Sequence, residues 1–129
     1  MTDARPTPDG STPQPLPVLV AVKDLIFGTR IHAAAKDSGI PTRGVRDAGK
    51  LKDLDGRSVI VDLGEPGMLE AAAEWKRRTG RGVVGFVSHV DTETIRRARE
   101  LGLDDVLPRS AFVVRLPELL IRLSANVPQ

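Results

Sequence analysis

Uninterrupted apolar runs alternate with amphipathic segments along most of the chain. The first run, residues 16–22, reads Leu-Pro-Val-Leu-Val-Ala-Val. Continuous apolar character is typical of parallel strands that are covered on both faces, whereas apolar and polar residues alternate along a half-exposed strand. The same pattern predicts further strands at residues 58–63 and 83–87, with two shorter strands at residues 42–46 and 106–107.

Helical patterns follow the predicted strands. In residues 25–38 the apolar positions recur at helical spacing, Asp24 can cap the helix, and Gly39 ends it. Similar patterns predict helices at residues 48–54, 68–79 and 92–101. The last helix, residues 110–123, contains Pro117. Because proline breaks a helix interior and is tolerated in a first turn, we expect Pro117 to begin a second segment.

Five strands that alternate with helices predict an α/β fold, a parallel sheet between two layers of helices. Ligands of such sheets bind beyond the carboxyl ends of the strands. The candidate pocket residues are therefore those that follow the strands: Lys23, Asp24, Asp62, Ser88, His89 and Arg109. The chain has no Walker motif, dinucleotide fingerprint or His-Glu-x-x-His motif. We expect His32, in the first helix, to lie at the surface, and Trp75 to pack at the edge of the core.

Composition predicts one domain preceded by a tail. The chain has 129 residues, and five of its ten prolines fall within the first 17. We expect residues 1–16 to be a disordered tail, residues 17–125 to form the domain, and residues 126–129 to be a short C-terminal tail. Three Phe, one Trp and no Tyr leave few rings on which nucleic-acid bases could stack.

Charge and cysteine content limit the expected location of the protein and the kinds of partner it binds. The absence of cysteine excludes disulfides and thiolate metal sites, and makes the cytoplasm the expected location. No apolar run approaches the length of a membrane span, and the N-terminal residues lack the pattern of a signal peptide. The net charge of +2 is too small to indicate a polyanion-binding protein. We therefore expect neither a membrane nor a nucleic acid as partner.

Three sequence segments resemble the receiver domain of bacterial two-component response regulators. Residues 59–68 read Val-Ile-Val-Asp-Leu-Gly-Glu-Pro-Gly-Met, similar to the third strand with its phosphoacceptor Asp. Gly-Phe-Val-Ser, residues 85–88, resembles the fourth strand with its terminal Ser or Thr, and residues 101–110 resemble the segment around the fifth strand. The resemblance spans about residues 18–123 and implies a flavodoxin-like sandwich with strand order 2-1-3-4-5.

The same resemblance makes Asp62 the candidate phosphoacceptor. Receivers hold a divalent metal with an acidic pair after the first strand, and the matching positions here are Val22 and Lys23. An ammonium at that position opposes a divalent ion and attracts a carboxylate. We therefore expect Lys23 to pair with Asp62, with no metal or other cofactor bound. A register shifted by one residue instead brings Asp24 into the acidic position, and only that alternative implies magnesium.

Other positions also depart from the family. Arg109 replaces the lysine that receives the phosphoryl oxygens, and its planar fork is not equivalent to an ammonium. Ser110 replaces the proline that follows, so we expect a trans peptide bond there. The switch aromatic of the fifth strand is matched by Val106, and Ser88 and His89 complete the candidate pocket.

Arginines concentrate in the last two helices and around them. The resemblance implies that the fourth helix, fifth strand and fifth helix form the surface for protein partners or self-association. The candidate partner residues are Arg96, Arg97, Arg99, Arg115 and Arg122.

These observations favour a degenerate receiver without enzymatic activity, which acts as a regulatory or protein-interaction module. One alternative is a functional single-domain response regulator phosphorylated on Asp62. Another is a small-anion-binding regulatory domain that uses Lys23, Ser88 and Arg109.

Overall fold

A computed structural model describes residues 16–88, 91–103 and 105–125. The predicted tail at residues 1–16, apart from Leu16, lies outside the described residues. So do the predicted C-terminal tail at residues 126–129 and the candidate pocket residue His89.

Within the described residues, five parallel strands form one sheet in the order β2-β1-β3-β4-β5, which confirms the predicted topology. The strands are β1 (Val18–Ala21), β2 (Thr42–Gly44), β3 (Ser58–Asp62), β4 (Gly82–Val87) and β5 (Asp105–Pro108). Ala21 lies opposite Val61, and Asp62 lies opposite Phe86. The carboxyl ends of the three central strands therefore open at one edge of the sheet.

Helices connect the strands at the predicted places. They are α1 (Leu25–Asp37), α2 (Ala48–Leu51), α3 (Met68–Thr79), α4 (Thr92–Glu100) and α5 (Arg109–Ser124). Asp24 caps α1, because its Oδ1 accepts the Phe27 N–H at 3.0 Å, as predicted. No helix within the described ranges is long and apolar enough to cross a membrane.

Two apolar cores cover the two faces of the sheet. On one face α1 and α5 pack around Phe27, Phe86 and Phe112, whose ring centroids lie 5.0–5.9 Å apart. On the other face the side chain of Trp75 is fully buried, and its Nε1–H donates to the Leu54 carbonyl at 2.9 Å. The indole therefore also holds the segment between α2 and β3, so Trp75 belongs to the core itself rather than to its edge.

His32 is half-buried, in contrast to the predicted surface position. Its Nδ1 lies 2.7 Å from the Thr42 hydroxyl oxygen, so this ring links α1 to β2. Loss of solvent lowers the pKa of the imidazole below its usual value.

The predicted break at Pro117 is wrong, because α5 runs without interruption through this residue. Pro117 is exposed, whereas the buried side chains on both sides of it are Phe112, Leu116, Leu119, Leu120 and Leu123. These residues form one face against the sheet, and packing of that face offsets the hydrogen bond that the proline cannot donate.

We expect Pro117→Ala to stabilise the domain. The alanine restores an N–H that can donate to the carbonyl four residues earlier, so the free energy of unfolding should rise by about 1–3 kcal/mol. Urea unfolding followed by circular dichroism measures the change, with Glu118→Ala as the exposed neighbouring control. An unchanged or lower stability of the Pro117 variant would show that the proline is not a defect in α5.

Candidate functional site

Asp62 lies at the carboxyl end of β3, in the centre of the edge where the strands open. Only 8% of the residue is exposed. Its Oδ1 accepts the Gly64 N–H at 2.9 Å. Burial raises the pKa of the Asp62 carboxyl above its usual range, while the Gly64 N–H opposes this shift by favouring the ionised form. The site therefore holds a carboxylate whose charge is poorly solvated.

The predicted ion pair between Lys23 and Asp62 is wrong. The Lys23 ammonium lies 3.8 Å from Glu65 Oε1, and 55% of the lysine side chain is exposed. Here the ammonium stays largely hydrated, which a contact with buried Asp62 would not allow. The charge of Glu65 also contributes to the raised pKa of Asp62. Sequence reasoning missed Glu65, although its place three residues after Asp62, in the turn that follows β3, was a usable signal.

Arg109 is held between two groups at the start of α1. Its Nη2–H donates to Asp24 Oδ2 at 3.0 Å, and its guanidinium carbon lies 3.9 Å from the centre of the Phe27 ring. The Phe27 N–H and then Arg109 hold the pKa of the Asp24 carboxyl below its usual value. This arrangement joins residues 85 positions apart in the sequence and was not predicted. Asp24 therefore engages one N–H of the guanidinium, and the Phe27 ring covers one of its faces.

The donor set near Asp62 does not fit a divalent metal. Val22 has no oxygen in its side chain, and Lys23 contributes a cation instead of an oxygen ligand. Both carboxylate oxygens of Asp24 already accept hydrogen bonds, from Phe27 and Arg109. Across the described ranges, no group of three or more His, Asp or Glu side chains is placed to hold a metal ion.

The remaining pocket positions add few contacts. Ser88 is exposed just after β4, and His89 lies outside the described residues. Val106 is buried in β5, and the peptide bond between Arg109 and Ser110 is trans, as predicted. The structure thus brings Lys23, Asp24 and Arg109 to the same edge as Asp62. None of these three side chains forms a hydrogen bond or an ion pair with Asp62.

The arginines of the candidate partner surface are largely compensated by carboxylates. The pairs are Arg96 with Glu93 and Glu100, Arg97 with Glu70 at 2.9 Å, Arg115 with Glu118 at 3.5 Å, and Arg122 with Asp105 at 2.9 Å. Because Glu70 belongs to α3, Arg97 lies on the α3 side of α4. Within the described part of the chain Arg99 has no ion pair, so this surface is mixed in charge rather than uniformly basic.

No family model matches the chain, and no curated protein matches it. Solved structures do match. The chain superposes on the signal receiver domain of NarL from Mycobacterium tuberculosis with a TM-score of 0.70 and 17% identity, covering 88% of this chain and 98% of that one. The receiver domain of NtrX from Brucella abortus gives a TM-score of 0.70 and 23% identity, with 84% and 98% covered. HP1043, an orphan response regulator of H. pylori, gives 0.69 and 19%, with 88% and 97% covered.

The chain has the receiver-domain fold. This confirms the resemblance seen in the sequence at the level of architecture. At identities of 23% or less in these comparisons, the likeness concerns the fold, and the chemistry around Asp62 depends on the residues of this chain.

We expect Asp62→Asn to stabilise the domain at neutral pH. A raised pKa means that the folded protein binds protons more strongly than the unfolded chain, so stability falls as pH rises through that window. The amide has no charge to desolvate and keeps an acceptor for the Gly64 N–H. The expected gain is roughly 0.5–2 kcal/mol, the scale of a single buried substitution.

Thermal unfolding of both proteins from pH 3 to pH 8 tests this expectation. The advantage of Asp62→Asn should disappear below the usual pKa of 3.8, where the wild-type carboxyl is neutral in both states. Asp53→Asn, at an exposed position, is the control. A gain that persists unchanged at acid pH would mean that charge is not its origin.

Proposed function

We propose that this domain is a degenerate receiver, a regulatory and protein-interaction module of bacterial signalling that does not undergo metal-dependent phosphorylation. The observation that carries the proposal is the pairing of the site's cations with other partners, Lys23 with Glu65 and Arg109 with Asp24. It acts without catalysis, in the cytoplasm, through proteins that bind its surface.

The engaged cations explain why phosphoryl transfer to Asp62 is disfavoured. Transfer to a carboxylate adds negative charge to a buried position, and that charge needs a metal or free cations beside it. The ammonium of Lys23 lies on Glu65, and moving Arg109 to Asp62 requires breaking its contacts with Asp24 and Phe27. Each compensation therefore has to be taken from an existing interaction.

The two alternative functions meet the same obstacle. A phosphorylatable regulator with a shifted metal site needs Asp24 as a ligand, but this carboxylate caps α1 and accepts from Arg109. A small-anion site at Lys23, Ser88 and Arg109 needs the guanidinium that Asp24 holds. Both alternatives remain as outcomes of the following experiment.

We expect no phosphorylation of the wild-type protein. After incubation with acetyl phosphate and magnesium, its intact mass should not increase, and its melting temperature should not respond to magnesium. Lys23→Asp should melt lower without metal, because it adds a carboxylate near Glu65 and Asp62, and it should recover in millimolar magnesium through selective binding to the folded state.

Two further variants separate the causes. Lys23→Gln removes the contact with Glu65 without adding a ligand, so it should not respond to magnesium. Asp62→Asn shows whether any added mass sits on Asp62. A mass increase in the wild type that Asp62→Asn abolishes would overturn the proposal of a degenerate receiver in favour of a functional response regulator. Stabilisation of the wild type by phosphate alone would favour the hypothesis of a small-anion-binding domain.

The surface formed by α4, β5 and α5 is the proposed binding face for protein. Exposed apolar side chains support it more strongly than charge does. Leu101 is 40% exposed after α4, while Val114 and Ile121 of α5 are 81% and 63% exposed. Val114 and Ile121 are seven residues apart and therefore share the outer face of α5. Apolar side chains beside paired charges are typical of a protein interface with a polar rim.

We expect Val114→Glu combined with Ile121→Glu to abolish partner binding while changing the free energy of unfolding by less than about 0.5 kcal/mol. Pull-down from native extract measures recovery of partners, and sedimentation of the pure protein measures self-association. Ile26→Glu is the matched control, since Ile26 is also 81% exposed but belongs to α1. Equal recovery by all variants, with no change in sedimentation, would exclude this face.

A further inference from the structure

A groove of about 420 Å³ opens at the other end of the sheet from β5, between α1, β2 and α2. Leu25, Gly28, Thr29 and His32, which form one wall, recur at helical spacing along α1. We propose that this β2 groove binds a small organic molecule that carries two or more phosphate or carboxylate groups. Its volume lies within the range of small-molecule sites, about 300–1,000 Å³.

Free cations on the opposite wall carry the choice of ligand. Arg43, Arg46 and Lys50 line the groove from β2, the following loop and α2. In the described ranges none of these three forms an ion pair, whereas four of the five arginines of the candidate partner surface do. Arginine forks and a nearby ammonium are suited to phosphate and carboxylate groups.

Among the described residues, neither acidic side chain of the lining forms an ion pair with these cations. Asp47 Oδ1 accepts the Gly49 N–H at 2.8 Å and caps α2. Asp24 is occupied by the Phe27 N–H and by Arg109. The three cations of the lining outnumber its two carboxylates, so the groove keeps a net positive charge toward an anionic ligand.

Two glycines of the lining are a second, independent observation. Gly28 lies inside α1 and Gly44 ends β2, positions where glycine is unfavourable. Neither has a positive φ, so the backbone does not require glycine there. A Cβ would meet only the Val22 carbonyl at 3.7 Å at the first position and His32 Nε2 at 3.7 Å at the second. The missing side chains leave space in the groove at a cost to the stability of the empty domain.

The rest of the lining indicates an organic part in the ligand. Val20, Val22 and Leu54 contribute apolar surface to the groove. His32 Nδ1 is engaged with Thr42, which leaves its Nε2 available beside Gly44. A ligand with an apolar body and separated anionic groups satisfies both kinds of surface.

The test is an NMR titration of the full chain with pyrophosphate and with citrate at constant ionic strength, which separates phosphate from carboxylate recognition. Saturable shifts of the Gly28, Thr29, His32 and Gly44 amides by either probe are expected. Arg43→Gln combined with Arg46→Gln should weaken binding by about tenfold or more. Arg30→Gln should not, because Arg30 lies on α1 but outside the lining.

Substituting the two glycines tests the proposal in a second way, because stability should rise while binding weakens. Gly28→Ala combined with Gly44→Ala should raise the melting temperature by about 2–5 °C through better helix and strand propensity, while weakening probe binding. Equal loss of binding in Arg30→Gln, or no saturable shifts by either probe, overturns the proposal. Tighter binding of a glutamate decapeptide than of both probes also overturns it, in favour of an acidic protein segment docked on the edge strand β2.

Discussion

The parallel register of β1 and β3 is the constraint on which the site depends. Because Ala21 lies opposite Val61, the chain leaves β1 at Val22 beside the carboxyl end of β3, where Asp62 is buried. Parallel strands place every polar residue that follows them at this edge, whatever its charge. The sheet therefore forces carboxylates and cations of distant sequence segments into one region, and each charge that finds no partner there and loses its hydration lowers the stability of the fold.

The observed partners follow from exposure and geometry. Lys23 reaches the more exposed Glu65 instead of the buried Asp62, so its ammonium loses little hydration. Arg109 has a planar group that can stack on Phe27 and donate to Asp24 at the same time, an arrangement that a lysine ammonium cannot reproduce. Since Phe27 also contacts the rings of Phe86 and Phe112, the Arg109 contact joins the start of α5 to the core between α1 and the sheet.

The sequence was sufficient for the elements, their order and the edge that holds the site, because apolar periodicity and caps such as Asp24 are local signals. It was insufficient wherever two elements compete for one group. The pairing of Arg109 with Asp24 spans 85 positions and depends on where α5 begins over the sheet. The predicted break at Pro117 rested on local helix propensity alone, but packing of the long apolar face of α5 outweighs that propensity. The β2 groove had no signature in the sequence. Its two glycines, Gly28 and Gly44, have no positive φ, so they belong to no turn that a sequence pattern could have marked.

Asp24 and Val22 lie at the edge that holds Asp62 and also line the β2 groove. Asp24 meets Arg109 and the Phe27 N–H from the side of the site, and its segment forms part of the groove wall. An anion held by Arg43 and Arg46 adds negative charge near this carboxylate, so it repels Asp24 and attracts the Arg109 guanidinium that Asp24 holds. Binding in the groove as proposed is thus coupled to the contact between α1 and α5 through one residue. In a domain whose cations are withheld from Asp62, this provides a route from a small ligand to the helix that carries the proposed protein-binding face.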